Sequence, residues 1–267
     1  MTTETHEWLP VQLDGKTAIV CGSTQGIGYA AAQHLAGLGA RIILLARNAD
    51  SLQKAVASLP HADRHSAVQA DFSQPEQVQQ AAAAIVAKEP VHILVNNTGG
   101  PAGGPITEAG IDAFRNTFEQ HLVCNHLLAQ AVLPGMKAAG YGRIINVIST
   151  SVKQPLANLG VSNTIRGAVA NWAKTWANEV GAFGITVNNV LPGATNTARL
   201  DQIIENKAAK TGQAEADIRA QMAAAVPMKR TGNPEEVGRA IAFLASPSAS
   251  YISGINLPVD GGRTSSL

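Results

Sequence analysis

The amino-acid sequence predicts an α/β fold of the doubly wound kind, a parallel sheet covered by helices on both faces. Two observations carry that expectation. Short aliphatic or β-branched runs alternate with longer alanine-rich stretches whose apolar residues recur at helical spacing. Several of the short runs are apolar almost without a break, the habit of strands buried on both faces. Such alternation implies right-handed crossovers between parallel neighbours. No repeat, low-complexity tract or linker divides residues 1–267, so one domain is expected.

The first strand is expected over Thr17–Cys21. It runs into Gly22-Ser23-Thr24-Gln25-Gly26-Ile27-Gly28 and a helical pattern over Ile27–Leu38. Phosphate binding needs backbone N–H groups at a helix N-terminus, approached without a Cβ in the way. Gly22 permits the tight turn, Gly26 the close approach of a pyrophosphate, and Gly28 the packing of helix on strand. Glycine also serves turns through its backbone freedom alone, but the strand before and the helix after favour a dinucleotide site. The second strand, Arg41–Ala46, leads into Arg47-Asn48 with no carboxylate. A carboxylate there would hold the ribose 2′-OH of NAD, whereas Arg47 suits a bidentate grip on a 2′-phosphate. NADP is therefore favoured over NAD. The plainer reading of Arg47 is a solvated charge at a strand end.

Further strands are expected at Ser66–Ala70, His92–Val95, Arg143–Ile148, Ile185–Val190 and Ile255–Val259. Helices are expected over Pro75–Lys88, Ile111–Lys137, Asn163–Val180 and Pro234–Leu244. Residues 195–228 break the rhythm, being polar and helix-prone after Leu191-Pro192-Gly193. An insertion after a strand's carboxyl end lies where open α/β sheets bind ligands, so a substrate lid is expected. A helical hairpin that only packs is the alternative.

Hydrophobic residues make up 45% of the chain, enough for a sizeable core, and 20 basic against 19 acidic residues leave a formal charge of +1. That balance offers no electrostatic basis for binding nucleic acid or an anionic membrane. Only Cys21 and Cys124 are present, far apart, so neither a disulfide framework nor a metal site is indicated. A reducing cytoplasm is the natural setting. The opening residues, Met1 to Trp8, lack the basic and then apolar run of a signal peptide. Apolar runs elsewhere fall short of the roughly 18–20 residues that cross a bilayer.

Five segments, in order along nearly the whole chain, resemble the short-chain dehydrogenase/reductase family. They are Gly22 through Gly28, Asn96-Asn97-Thr98-Gly99, Gly142 through Ser149, Val187 through Gly193, and Gly254 through Gly262. The resemblance implies a Rossmann-like, seven-stranded parallel sheet, a nicotinamide cofactor, and reversible hydride transfer between a carbonyl and an alcohol. It implies Asp71, with Phe72, beside the adenine. Asn96 and Gly99 would shape the cofactor groove, with Asn97 and Thr98 between them. Thr197, reached by a Pro-Gly-x-x-x-Thr pattern, would touch the carboxamide. Arg47, Asn48, Pro192, Gly193 and Thr195 complete the expected cofactor contacts. Family members are commonly homotetramers, so a homo-oligomer, tetramer or dimer, is expected.

The family's reaction set is asparagine, serine, tyrosine and lysine. Ser149 matches the serine, which polarises the carbonyl oxygen. The family's Tyr-x-x-x-Lys falls, without a gap, on Ser162-Asn163-Thr164-Ile165-Arg166. Counting back from Leu133-Pro134 puts His121 in the asparagine's place. A serine hydroxyl is a far weaker acid than a phenol, whose pKa is about 10. Arg166 keeps its charge and cannot shuttle protons as lysine does, though it can steady an oxyanion or the cofactor ribose. His121 titrates in the useful range and is the candidate proton donor, directly or through water, with Asn125 one turn beyond to orient it. Against this, Ser162 reads equally well as a helix-start residue, and His121 as a packing residue.

The segments Asn97 to Pro101, Ser149 to Pro155 and Ser162-Asn163-x-x-Arg166 together resemble a divergent, 3-oxoacyl-carrier-protein reductase-like branch of the family. Three functions stay open. They are an NADP-dependent oxidoreductase acting on a carbonyl or alcohol, a dinucleotide-binding sensor or scaffold without turnover, and non-redox chemistry in the same cleft.

Overall fold

The computed structural model describes residues 10–266, so the opening segment read above for a leader lies outside the described residues. Seven strands form one parallel sheet: β1 (Thr17–Cys21), β2 (Arg41–Ala46), β3 (Ser66–Gln69), β4 (Ile93–Asn96), β5 (Gly142–Val147), β6 (Ile185–Pro192) and β7 (Asn256–Val259). Their order is β3-β2-β1-β4-β5-β6-β7. The helices are α1 (Gly26–Gly37), α2 (Ala49–Ala57), α3 (Pro75–Val86), α4 (Ile111–Phe118), α5 (Cys124–Ala139), α6 (Gly160–Val180), α7 (Ala198–Thr211), α8 (Glu215–Ala224) and α9 (Pro234–Ala245).

Strand periodicity divides the core into two layers. In β1, Ala18 and Val20 point to one face and Ile19 and Cys21 to the other. On the first face they meet Leu35 of α1, Leu52 of α2 and Ile241 of α9. On the second they meet Ile85 of α3, Leu128 of α5 and Val180 of α6. Each such side chain contributes about 1.5–3 kcal/mol through burial. Truncating Leu128, fully buried, to alanine should cost about 2–5 kcal/mol.

Strand order reverses between β1 and β4, where open α/β sheets take their ligands. The carboxyl ends of β1, β4, β5 and β6 deliver Gly22–Gly28, Asn97–Gly99, Ser149 and Gly193–Thr197 to that edge. An amide ladder fixes the strands near it. Asn96, Asn146, Asn189 and Asn256 are in register across β4 to β7, each donating to the next at 2.9 Å. A one-residue slip would break all three bonds, so the ladder specifies register as well as satisfying buried amides.

Three elements depart from expectation. The helix α2 was not foreseen; it begins at Asn48, whose side chain accepts from Ser51 N at 2.8 Å. The long helix expected over 111–137 is interrupted by a π turn, Glu119–Val123, which carries His121. Turns of this kind inside helices often mark functional sites. Residues 195–228 form the α7–α8 hairpin, closed around Leu200, Ile204 and Ile218 and by an Arg219–Asp201 ion pair at 2.7 Å. Both cysteines are free and buried. Among the described residues, no helix is long and apolar enough to cross a membrane.

Candidate active site

The glycine turn is built from backbone. Gly22 and Gly26 hold left-handed φ values of 55° and 57°. A Cβ on Gly22 would strike the Asn97 carbonyl and lie 2.9 Å from its Nδ2. A Cβ on Gly28 would strike the Gly22 carbonyl and lie 2.7 Å from the same nitrogen. Gly28 thus lets the turn fold against itself, a tighter role than the helix-on-strand packing read from spacing. Asn97 Nδ2 donates to the carbonyls of Cys21 (3.3 Å) and Gly22 (3.1 Å), clamping the turn from the β4 side.

What the turn offers a ligand is positive and unsatisfied. Gln25, at the head of α1, provides no side-chain cap, and the first turn carries no acidic residue. The leading N–H groups therefore keep their partial positive charge. Ser23 is fully buried and its Oγ has no partner. A cradle without Cβ atoms, an uncapped helix start and an orphaned hydroxyl fit a pyrophosphate. Thr24, Gln25 and Ile27 complete this turn on its more open side. The hairpin base meets it: Thr197 caps α7, and its methyl carbon lies 3.2 Å from where a Gly26 Cβ would stand.

At the end of β2, Arg47 is exposed and forms no ion pair among the described residues. Asn48 spends its carbonyl oxygen on capping α2, leaving only its NH2 for a ligand. Asp71 accepts from Ser73 N at 2.9 Å, a bond that, with the Arg47 charge, holds its carboxyl below the usual range. Phe72 packs half-buried on the second core layer. At the other strand end, Pro192 closes β6, Gly193 sits so close to Asp260 that a Cβ would be 2.8 Å from its Cα, and Thr195 Oγ1 donates to Gly193 O at 3.1 Å.

Beyond the end of β5, Ser149 stands in extended backbone and its Oγ accepts from Ser151 N at 3.1 Å. That bond leaves the hydroxyl proton free to donate elsewhere. Arg166 enters from α6, buried, and its Nη1 donates to Val147 O at 2.7 Å. Burial, reinforced by the Arg199 charge, brings its pKa down to about 10, so it stays cationic at neutral pH. Ser162 is half-buried one turn before Arg166. It is the third residue of α6, within the helix's first turn, while Leu159 holds the cap position, so Ser162 stands at the helix start without capping it.

His121 corrects an expectation. It is buried, with Nδ1 2.5 Å from Thr98 Oγ1 and Nε2 without a partner. Burial, then the Arg166 charge, pushes its pKa well below the ordinary 6.5. The ring is therefore neutral at pH 7 rather than titrating in the useful range, and its orienting partner is Thr98, not Asn125. Sequence reasoning missed Arg199. It reaches from the start of α7 to donate through Nη2 to Pro101 O, above the same β4 loop that holds Thr98.

A family model described as enoyl-(acyl carrier protein) reductase matches residues 22–264, from the glycine turn that follows β1 to the residues beyond β7. The chain belongs to this family of short-chain dehydrogenases/reductases. Its oxidoreductase character follows that membership. The 3-oxoacyl-[acyl-carrier-protein] reductase FabG of Vibrio cholerae is 35% identical over 255 residues, 94% of this chain and 98% of that protein. The NADPH-dependent reductase BacG of Bacillus subtilis is 32% identical over 260 residues, 94% of this chain and 99% of that protein. Among solved structures, L-sorbose reductase from Gluconobacter frateurii, complexed with NADPH and L-sorbose, superposes with a TM-score of 0.91 at 32% identity, covering 97% of this chain and 100% of that one.

Proposed function

We propose that the protein is an NADP-dependent oxidoreductase that interconverts a carbonyl and an alcohol at Ser149. The observation that carries this is the Ser149 hydroxyl. Its oxygen is held by a backbone N–H and its proton is free, at the same sheet edge as the glycine turn. NADP rather than NAD is supported by exposed Arg47, with no carboxylate at the end of β2, and by the NADPH named for the similar reductases. When bound, NADPH supplies the hydride.

The chain's own residues do the rest. The glycine turn and Asn97 hold the pyrophosphate end, while Thr197 joins that end to the hairpin. Ser149 donates its proton into a hydrogen bond with the substrate oxygen, and Arg166 steadies the negative charge that grows there. Ser162 adds a hydroxyl on the same side of α6. The neutral His121 ring gives its Nε2 proton to the alkoxide while its Nδ1 takes the hydroxyl proton of Thr98, which solvent restores, and the alcohol is complete. The α7–α8 hairpin acts as the lid that excludes water. The working form is a cytoplasmic homo-oligomer, dimer or tetramer, with size readable by light scattering.

The test is single-turnover NADPH oxidation against a panel of carbonyl compounds, for wild type and Ser149→Ala. A fall of about 10²-fold or more is expected in the variant. Turnover unchanged by the substitution rejects the proposed centre. NADPH bound by wild type but never oxidised would point to a sensor, and product formed with no net change in the nicotinamide would point to non-redox chemistry.

A further inference from the structure

Arg166 and Arg199 reach the crevice from opposite sides, one from the core helix α6 and one from the hairpin helix α7. A methyl placed on Gly100 would lie 3.6 Å from Arg199 Nη2 and 3.9 Å from Arg166 Nη2. Both guanidinium groups thus converge on one point above the Gly99–Pro101 segment. Their recorded partners are all neutral: Val147 O for Arg166, and Pro101 O with Gln202 Oε1 (3.4 Å) for Arg199. Among the described residues, neither is in an ion pair with a carboxylate. Arg166 is only 8% exposed, so water screens it poorly. Two cations brought together with no counter-charge, one of them buried, are unfavourable until an anion joins them. Each guanidinium has N–H donors beyond those in use, in a fork that matches a carboxylate.

We infer that the Arg166–Arg199 pair anchors a carboxylate, and that the substrate is an oxo acid or the matching hydroxy acid with its carbonyl at Ser149. The inference rests on the carbonyl chemistry proposed above. Placement favours the substrate over a cofactor phosphate as the source of that anion. The anchor of Arg166 on Val147 lies two residues before Ser149, whereas the pyrophosphate already has its own donors at Ser23 and the head of α1. A carboxylate bridging the pair would also tie the α7–α8 hairpin to the sheet edge, so that acid binding and lid closure become one event.

The test uses calorimetry on the full chain saturated with NADP⁺, where no reduction can occur. Ligands are 2-, 3- and 4-oxo acids and their methyl esters; proteins are wild type, Arg199→Gln and Gly100→Ala. The last fills the convergence point with a methyl at ordinary contact distance and removes no charge. At least one acid should bind wild type about tenfold or more tightly than its ester, and both substitutions should erase that preference. The NADP⁺ Kd should move less than about twofold. The inference is overturned if no acid is preferred to its ester. It is also overturned if Arg199→Gln weakens NADP⁺ as much as it weakens the acid, because the pair would then hold a cofactor phosphate. Wild type that fails to bind NADP⁺ would overturn the function proposed above, a result visible before any acid is added.

Discussion

The turn after β1 and the corner where β5 meets α6 lie at one sheet edge but are built by different means. At the turn, left-handed backbone, absent Cβ atoms and an uncapped helix start make the site, and only Ser23 and Asn97 add side chains. At the corner, backbone mainly holds side chains in place: Ser151 N fixes Ser149, Val147 O fixes Arg166, and Thr98 fixes His121. A backbone site tolerates almost no substitution, because any Cβ occupies the ligand's or a neighbour's space. A side-chain site can exchange one hydroxyl or cation for another and keep its shape. Ser162 and Arg166, standing where the family resemblance implies tyrosine and lysine, illustrate the second case.

The comparison breaks most sharply at Gly22. Gly22→Ala combines left-handed backbone with a clash against the Asn97 carbonyl. It should lose measurable NADPH binding by fluorescence titration and about 1–3 kcal/mol of stability in denaturant. Gly37→Ala, a helical glycine with open space around it, should leave both intact. If the two behave alike, the turn is not the backbone device described here. Next in size is Ser149→Ala, whose turnover should drop about 10²-fold while NADPH affinity holds, because the lost hydroxyl takes no part in the glycine turn. Smaller again is Arg47→Ala. The side chain is exposed, so the expected effect is about a tenfold loss of preference for NADPH over NADH, weakening further with salt.

A further effect concerns acid. His121 is held neutral by burial and the Arg166 charge, and burial likewise lowers His65 and His92, whose Nδ1 atoms accept from Ile42 N and Thr17 N. Folded rings with depressed pKa values bind fewer protons than the unfolded chain. Stability is therefore full above the ordinary pKa of 6.5 and declines as pH falls below it. For His121 the slope is at most about 1.4 kcal/mol per pH unit. Denaturant melts between pH 8 and 5 should show the decline, flatter in His121→Asn. A midpoint insensitive to pH would contradict the buried, neutral ring.

Seven strands and the glycine turn were readable because each depends on local constraints. Strands buried on both faces leave continuous apolar runs, and positive φ admits few residues besides glycine. The corner was less readable. Apolar spacing over 111–137 runs on through the π turn, so nothing in it announces that His121 is turned inward against Thr98. Asn48 stands as an expected cofactor contact through its NH2, while the capping of α2 by its oxygen is not legible in the sequence; asparagine serves caps and ligands alike, and a short helix leaves a weak pattern. Arg199 lies in a polar segment whose residues look interchangeable until the hairpin folds over Gly100.

The central claim is that a cofactor gripped at its pyrophosphate by the glycine turn has its nicotinamide brought against a carbonyl hydrogen-bonded to Ser149. Its most direct test is isotopic: NADPH deuterated at the transferable C4 position, mixed with the oxo acid that binds best, and the product examined by mass spectrometry and NMR. The account predicts one deuterium on the carbinol carbon of a hydroxy acid, in step with NADPH loss, and none from Ser149→Ala on the same timescale. Deuterium that stays on a tightly bound cofactor, or a product that forms without it, would contradict the account.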